Sequence, residues 1–363
     1  MDSIRADFPV FSAPGGADML RFDGPGGTQV PGAVIDAVTR YLIETNGNTH
    51  WNFPASRATD ALLLEAREAF AQFFNGQSDE VVFGANMTTL TMHLARGLGR
   101  EWGPGDEIVV TELDHHGNVA PWEAVAAERG VTLRWLPMDP ADGTLQLDAL
   151  PSLLSERTRV LAITAASNAL GTIPDVGRAA AMAHDAGALV MVDAVHHAHH
   201  RLPDVAALGA DFLVCSPYKF YGPHCGVLWG RRELLERVRT PKLRPAPDTA
   251  PERLETGTGN FEAIAGAAAA LHWMAALTDA AGTLRERLAA SYHQLHQRES
   301  ELFEQLWDGL NAIPGLRTFG LPPGGARTGT VTFTLAGESP AQVAKRLSRS
   351  GCSVTDGDFY AST

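Results

Sequence analysis

Through the middle of the chain, short runs of β-branched and aromatic residues alternate with longer stretches whose apolar residues recur at helical spacing. The short runs predict strands at Val81–Phe83, Ile108–Thr111, Val131–Trp135, Val160–Thr164, Leu189–Val192 and Phe212–Cys215. The longer stretches predict helices at Thr88–Arg100, Val119–Arg129, Leu147–Leu154 and Val176–Ala186. Strands that alternate with helices favour an α/β fold with a mainly parallel sheet between two layers of helices.

Helical periodicity also flanks this region on both sides. On the N-terminal side, helices are predicted after Pro31 and from about Thr59 to Phe74. The predicted elements on the C-terminal side are helices Phe261–Leu277 and Leu284–Leu310, strand Thr330–Leu335, helix Pro340–Arg349 and strand Cys352–Thr355. We expect a large domain over residues 20–275 and a smaller α+β domain made of residues 1–19 and 276–363. The smaller domain ends without a closing strand and helix, and we expect it to be truncated.

The composition is that of an ordinary globular protein with an acidic balance. Of the 363 residues, 45% are hydrophobic and 20% are charged, and the formal net charge is −13. Binding to nucleic acid or to an acidic membrane surface depends on clustered positive charge, so neither partner is expected. The three cysteines, Cys215, Cys225 and Cys352, form no disulfide or zinc-binding pattern, and the N-terminus carries no secretory signal. These features favour a reducing, cytoplasmic location.

The predicted strand ends carry the side chains that a pyridoxal phosphate site needs. Ligands of an open α/β sheet bind beyond the carboxyl ends of its strands. These ends supply a helix start at Thr88, an imidazole at His115, an amide at Asn168, a carboxylate at Asp193 and an amine at Lys219. A helix N-terminus suits a phosphate, an amine forms a Schiff base with the aldehyde, and a carboxylate keeps the pyridine nitrogen protonated. Pyridoxal 5′-phosphate is therefore the predicted cofactor.

Five segments, in this order along the chain, resemble the motifs of the fold-type-I pyridoxal-phosphate enzymes of aminotransferase class V. They are Asp114–Trp122, Ala165–Thr172, Val192–His200, Cys215–Gly226 and Glu255–Asn260. Within that class the sequence is most similar to the Suf-type cysteine desulfurases, and especially to the cysteine desulfurase-like subfamily. The resemblance implies a mainly parallel sheet of the seven-stranded type, a smaller C-terminal domain and an enzyme that acts on an amino-acid substrate.

The resemblance also implies roles for the residues around the cofactor ring. Lys219 would form the Schiff base and, once released, would move a proton at the substrate Cα. His115 would stack on the ring, and Asn168 would reach the side of the 3′ oxygen. Asp193 would pair with the pyridine nitrogen. Lys219 and His115 are therefore the predicted catalytic residues.

A second group of residues is implied for the phosphate. Met87, through its backbone, and Thr88 would hold the phosphate with help from Ser216. Thr258 corresponds to a residue that reaches the phosphate of the other subunit. This last contact implies a homodimer whose active sites are shared between subunits.

The sequence departs from the desulfurase pattern at several positions. His196 stands where the family usually has Gln, and Tyr218 stands where it usually has His. Both keep the capacity to form hydrogen bonds, so both remain predicted cofactor-binding residues. The loop that carries the persulfide-forming Cys aligns with Thr355–Tyr360 and places Tyr360 at the Cys position. The arginine that clamps the substrate carboxylate would lie beyond Thr363.

These departures leave more than one function open. Desulfuration needs a thiolate that accepts sulfur from the substrate, so we expect cysteine desulfurase-like C–S cleavage without the usual loop Cys. A sulfur-acceptor protein is a further expected partner. The alternatives are an aminotransferase, C–S lyase or epimerase of class V, or a non-catalytic cofactor-binding partner in sulfur trafficking. The four histidines within His196–His200 lack carboxylate or Cys partners at ligand spacing, so no metal site is predicted.

Overall fold

The computed structural model of the protein describes residues 2–361, and its central feature is one large sheet. The strands are β1 (Leu20–Arg21), β2 (Val81–Gly84), β3 (Glu107–Thr111), β4 (Thr132–Leu136), β5 (Met138–Asp139), β6 (Thr144–Leu145), β7 (Thr158–Thr164), β8 (Leu189–Asp193), β9 (Phe212–Cys215), β10 (Gly226–Gly230), β11 (Leu316–Phe319), β12 (Thr332–Leu335) and β13 (Cys352–Ser353). Within the described residues, seven strands form the sheet in the order β2–β10–β9–β8–β7–β3–β4. Its strands are parallel except β10, which runs antiparallel to both neighbours.

Helices cover both faces of the sheet. They are α1 (Asp2–Ala6), α2 (Gly32–Arg40), α3 (Pro54–Phe74), α4 (Met87–Leu98), α5 (Ala120–Arg129), α6 (Leu150–Leu153), α7 (Val176–Asp185), α8 (His197–His200), α9 (Arg232–Arg237), α10 (Phe261–Ala275), α11 (Leu284–Asn311) and α12 (Pro340–Arg349). Phe70, Phe73 and Phe74 of α3 belong to one buried cluster, whereas Leu94 of α4 and Trp122 of α5 belong to another. Each such side chain contributes about 1.5–3 kcal/mol through burial of apolar surface. The predicted α/β fold is confirmed.

The observed elements differ from the predicted ones in both number and extent. Strand β10 was not predicted, because the run is short and has a glycine at each end. It also follows a loop rather than a predicted helix. Gly226 is required there, since a Cβ would collide with the backbone of Asn86. The predicted helix Leu147–Leu154 was wrong in extent: a 3₁₀ turn is followed by the short α6, where Pro151 is confined to the first turn. Helix α3 begins at Pro54, earlier than the predicted Thr59.

The C-terminal elements pack beside the end of the sheet. Helix α11 begins with a capping box in which Thr283 and Glu286 satisfy each other's backbone amides. Strands β11 and β12 pair antiparallel, and β13 pairs parallel with β1. A bridge between Thr172 and Arg327 connects this part of the chain to the loop that follows β7. The C-terminal elements therefore border the carboxyl ends of the central strands.

Candidate active site

A cavity of about 580 Å³ opens at the carboxyl ends of the central strands. Its walls come from residues far apart in sequence, which the parallel strands bring to one edge of the sheet. The lining residues are Asn86, Met87, Thr88, Thr89, His115, Thr164, Ala166, Asn168, Asp193, Val195, His196, Ser216, Tyr218, Lys219 and His224. This size and mixed polarity suit a small organic ligand.

Lys219 lies in a 3₁₀ turn, Pro217–Lys219, directly after β9. Its Nζ donates a hydrogen bond to the carbonyl of Pro25 and lies 5.1 Å from the centre of the Tyr218 ring. Burial lowers the pKa of Lys219, and the nearby Asp193 carboxylate acts in the opposite direction. A neutral amine is therefore more accessible here than on the protein surface, as a nucleophile or proton acceptor requires.

Asp193 ends β8 and is only 4% exposed. Its Oδ1 accepts a hydrogen bond from the backbone amide of Val195 at 2.8 Å. Burial raises the pKa of Asp193 to about 6, whereas that hydrogen bond and the charge of Lys219 favour the ionised form. A buried carboxylate of this kind favours a cationic or N–H donor group in the cavity.

His115 and Asn168 lie under a turn formed by Asp358–Ala361, called here the C-terminal turn. Nδ1 of His115 accepts from the amide of Gly117 at 2.9 Å, which places the proton of the neutral ring on Nε2. Burial lowers the pKa of His115, and the charges of Lys219 and His116 act in the same direction. Asn168 Nδ2 donates to the carbonyl of Phe359 at 2.8 Å, while its buried Oδ1 has no partner among the described residues.

The far end of the cavity is formed by the N-terminus of α4. Asn86 caps the helix, since its side chain accepts from the amide of Thr89 at 2.9 Å. The amide of Met87 donates to Ser216 Oγ at 3.1 Å, so this hydroxyl lies at the helix end. Helix amides and the helix dipole favour an anion at such a position.

Two further aromatic groups shape the walls. His196 Nε2 lies 3.1 Å from Thr328 Oγ1 and 3.0 Å from Thr330 Oγ1, so C-terminal hydroxyls fix its ring. The Tyr218 ring stacks on His224 with centroids 4.9 Å apart and planes inclined by 15°. His196 is buried, whereas His224 is exposed at the rim of the cavity.

The structure brings every predicted site residue into this cavity except Thr258. Thr258 lies in an exposed loop before α10. The remaining lining residues were not predicted from the sequence: Asn86, Thr89, Thr164, Ala166, Val195 and His224. Asn86 and Thr89 have the spacing of a helix cap, a signal that could have identified them. His224 had no such signal, because it precedes the strand that was missed.

Neither a metal site nor a membrane-spanning helix is found in the described part of the chain. No group of three or more His, Cys, Asp or Glu side chains in residues 2–361 could hold a metal ion. No helix in the same range is long and apolar enough to cross a membrane.

The donor set of the cavity fits pyridoxal phosphate. A lysine amine and a buried carboxylate face one space, and the unpartnered Oδ1 of Asn168 can accept a hydrogen bond from a ligand hydroxyl. The helix start with Ser216 beside it supplies the anion-binding end. Lys219 would therefore hold the cofactor's aldehyde carbon, and Asp193 would hold its ring nitrogen. Asn168 would lie at the side of the 3′ oxygen, and Ser216 would hold the phosphate.

Known proteins resemble this chain over nearly its whole length. A cysteine desulfurase of Synechococcus elongatus is 36% identical over 380 residues, covering 99% of this chain and 57% of that protein. A probable cysteine desulfurase of Mycolicibacterium paratuberculosis is 34% identical, and the chain spans 52% of its length. A cysteine desulfurase of Klebsiella pneumoniae is 34% identical over 378 residues, covering 99% of this chain and 89% of that protein.

Solved structures and a family model agree with these relatives. The apo cysteine desulfurase of Thermococcus onnurineus NA1 matches 99% of this chain and 88% of its own, with a TM-score of 0.89 and 26% identity. The cysteine desulfurase CsdA of Escherichia coli, in an S-sulfonic acid form, matches with the same coverage, a TM-score of 0.84 and 30% identity. The sequence model of aminotransferase class V matches residues 21–362. The chain therefore belongs to the aminotransferase class V family of pyridoxal-phosphate enzymes and is cysteine desulfurase-like within it.

Proposed function

We propose that this protein cleaves the C–S bond of cysteine or a closely related amino acid, using pyridoxal phosphate held at Lys219. The observation that carries the proposal is the placement of Lys219 and Asp193 in one cavity that ends at a helix N-terminus. The names of the relatives, which are cysteine desulfurases, support sulfur-containing substrates. The composition supports a cytoplasmic location.

Each residue has a distinct task in the proposed reaction. Bound pyridoxal phosphate supplies an electron sink for negative charge that develops at the substrate Cα. Lys219 holds the cofactor and moves a proton at Cα, for which its lowered pKa is suited. Asp193 holds a proton at the ring nitrogen, and His115 covers the ring and excludes water. His196 and Tyr218 both line the cavity and have side-chain groups that can hydrogen-bond to the ligand.

The positions of the cysteines favour transfer of the substrate sulfur to an external thiol, or its release as hydrogen sulfide. Cys215 and Cys225 are fully buried, and burial raises the pKa of both thiols. Cys352 is half-buried on β13, outside the lining of the cavity. The Tyr360 ring packs against the ring of His115, and a phenol cannot form a persulfide. We therefore propose desulfuration to a thiol or sulfur-acceptor protein, with C–S lysis as the second candidate.

A product analysis with L-cysteine tests this proposal. Desulfuration converts cysteine and a thiol, RSH, into alanine and RSSH, whereas lysis converts cysteine and water into pyruvate, ammonia and hydrogen sulfide. We expect alanine that depends on added thiol, no product from Lys219→Ala, and full product from Cys352→Ser. Pyruvate would instead establish the lyase. Amino-group transfer, epimerisation or an inert loaded protein would overturn C–S cleavage altogether.

We also propose that the working unit is a homodimer. Several large apolar side chains are exposed within residues 35–64, including Ile43 at 77%, Leu64 at 69% and Trp51 at 63%. A second copy of this chain would cover this surface and bring its own Thr258, which is exposed, to the phosphate end of the cavity.

A further inference from the structure

A second acidic residue is buried behind the cavity and has no task in the proposed reaction. Asp114 directly precedes His115 and is 1% exposed. Its Oδ1 accepts from Asn118 Nδ2 at 2.8 Å, and its Oδ2 is hydrogen-bonded to Thr111 Oγ1. The backbone amide of Thr164, at the end of β7, also faces this carboxyl group. Asp114 thus ties the end of β3 to the turn that carries His115.

In the part of the chain that the structure describes, no positive charge compensates the carboxyl group of Asp114. Its three hydrogen-bonding partners are neutral, and within residues 2–361 no ion pair is made by its carboxyl group. The next acidic group is Asp193, two strands away in the sheet order and also buried. Lys219 is the charged group that acts on Asp193, and the neutral ring of His115 lines the same cavity.

Two ionised carboxylates in this position would be costly. An unpaired buried charge loses its hydration, and a second like charge nearby adds repulsion. Burial raises the pKa of Asp114 to about 8, the charge of Asp193 acts in the same direction, and the hydrogen bonds from Asn118 and Thr111 oppose it. The hydroxyl of Thr111 can donate or accept, so it can equally take the proton of a neutral acid.

We infer that Asp114 is a positioning residue that works as a neutral carboxylic acid, holding the His115 turn by hydrogen bonds while leaving the negative charge of the site to Asp193. The inference rests on the proposed function only for the task of His115 and Asp193. A neutral acid keeps the turn bonded without raising the proton affinity of Asp193. The ring nitrogen would then face an ionised partner at neutral pH.

The apoprotein tests the protonation state without any cofactor. Asp114→Asn replaces the carboxyl group by a neutral amide of nearly the same shape, and Asp114→Ala removes the side-chain hydrogen bonds. At neutral pH we expect the infrared carbonyl band of a protonated carboxylic acid in the wild type, retained in Asp193→Asn and lost in Asp114→Asn. A spectrum in which Asp114→Asn removes only carboxylate bands would overturn the inference.

The pH profile of stability gives an independent readout. The pKa of Asp114 is about 8 in the folded protein, above its ordinary value near 4, so the wild type loses stability as pH rises between these values. The Tm difference between Asp114→Asn and the wild type should therefore grow with pH over this interval and level off above it. A difference that does not change with pH would contradict a neutral acid.

The holoprotein tests the positioning role. We expect Asp114→Ala to weaken pyridoxal phosphate binding about tenfold, as the loss of a buried hydrogen bond implies, and Asp114→Asn to recover most of it. Equal affinities in Asp114→Ala and the wild type would overturn that role. If no variant and no wild-type protein binds the cofactor, the proposed function fails, while the infrared result on Asp114 still stands.

Discussion

The Tyr360 ring lies over the imidazole of His115, with ring centroids 5.3 Å apart and planes inclined by 38°. The C-terminal turn is fixed in this place by the amide of His116, which donates to the Tyr360 carbonyl at 2.7 Å, and by the Asn168 amide on Phe359. Both Phe359 and Tyr360 have left-handed backbone, with φ of 55° and 57°. The C-terminal turn therefore contacts His115 and Asn168, the two residues that are proposed to face the cofactor ring.

Removal of the Tyr360 ring should speed the entry of the cofactor. An aromatic contact contributes about 0.5–1.5 kcal/mol, so Tyr360→Ala should raise the association rate of pyridoxal phosphate with apoprotein about twofold to tenfold. Tyr360→Phe keeps the ring and should match the wild type. Stopped-flow absorbance measures these rates, and identical rates in all three proteins would show that the turn does not cover the site.

The charge of Asp193 should make cofactor binding depend on pH. Burial raises the pKa of this carboxyl group to about 6, and only its ionised form can hold a protonated ring nitrogen. The affinity for pyridoxal phosphate should therefore fall as pH drops through about 6. Asp193→Asn should bind pyridoxal phosphate roughly tenfold to a hundredfold more weakly at neutral pH, because a charge-assisted hydrogen bond is lost. The affinity of this variant should also lack the step near pH 6. Fluorescence titration across pH checks both, and a step of the same size in Asp193→Asn would exclude Asp193 as its source.

A largely buried ion pair anchors the loop that carries Thr258. The guanidinium of Arg67, 8% exposed, donates to both oxygens of Glu255 at 3.0 Å, and Glu255 also accepts from the amide of Phe83 at 2.8 Å. Arg67→Met fills a similar volume but leaves this carboxylate without its partner, which should cost about 3–5 kcal/mol in the free energy of unfolding. Addition of Glu255→Gln should recover part of the loss. Urea unfolding measures both, and a cost below about 1 kcal/mol for the single variant would contradict a buried pair.

The exposed apolar surface in residues 35–64 should be the subunit interface. Ile43→Asp places a charge in this surface and should convert the protein to monomers that bind pyridoxal phosphate weakly. Leu243→Asp is the matched control, because Leu243 is 63% exposed in a loop outside residues 35–64. Sedimentation velocity distinguishes the states. A dimer that persists in Ile43→Asp, or dissociates equally in Leu243→Asp, would place the interface elsewhere.

The sequence was most informative where a residue type serves both the fold and the chemistry. The strand ends of β3, β7, β8 and β9 could be predicted from apolar runs, and with them the positions of His115, Asn168, Asp193 and Lys219. Helix α12 has the predicted bounds, since Ser339 caps it and Pro340 starts it. Such local signals depend on few residues close in sequence.

Long-range relationships could not be predicted in this way. The threonines that hold His196 lie more than 130 residues away, and no local pattern connects them. Strand β10 has no alternation of its own and is defined by pairing with β2 and β9. The burial of Asp114 likewise depends on how the ends of β3 and β7 meet, whereas its sequence neighbours suggest only an exposed polar turn.

The most direct test of the central claim is the site of covalent attachment. The chain contains three lysines, Lys219, Lys242 and Lys345, and of these Lys219 lines the cavity. The protein should be loaded with pyridoxal phosphate, reduced with borohydride, digested and mapped by mass spectrometry. We expect the cofactor mass on the peptide that contains Lys219, and we expect Lys219→Arg to lose both this label and the visible absorbance. Label on Lys242 or Lys345 instead, or unchanged absorbance in Lys219→Arg, would contradict this expectation.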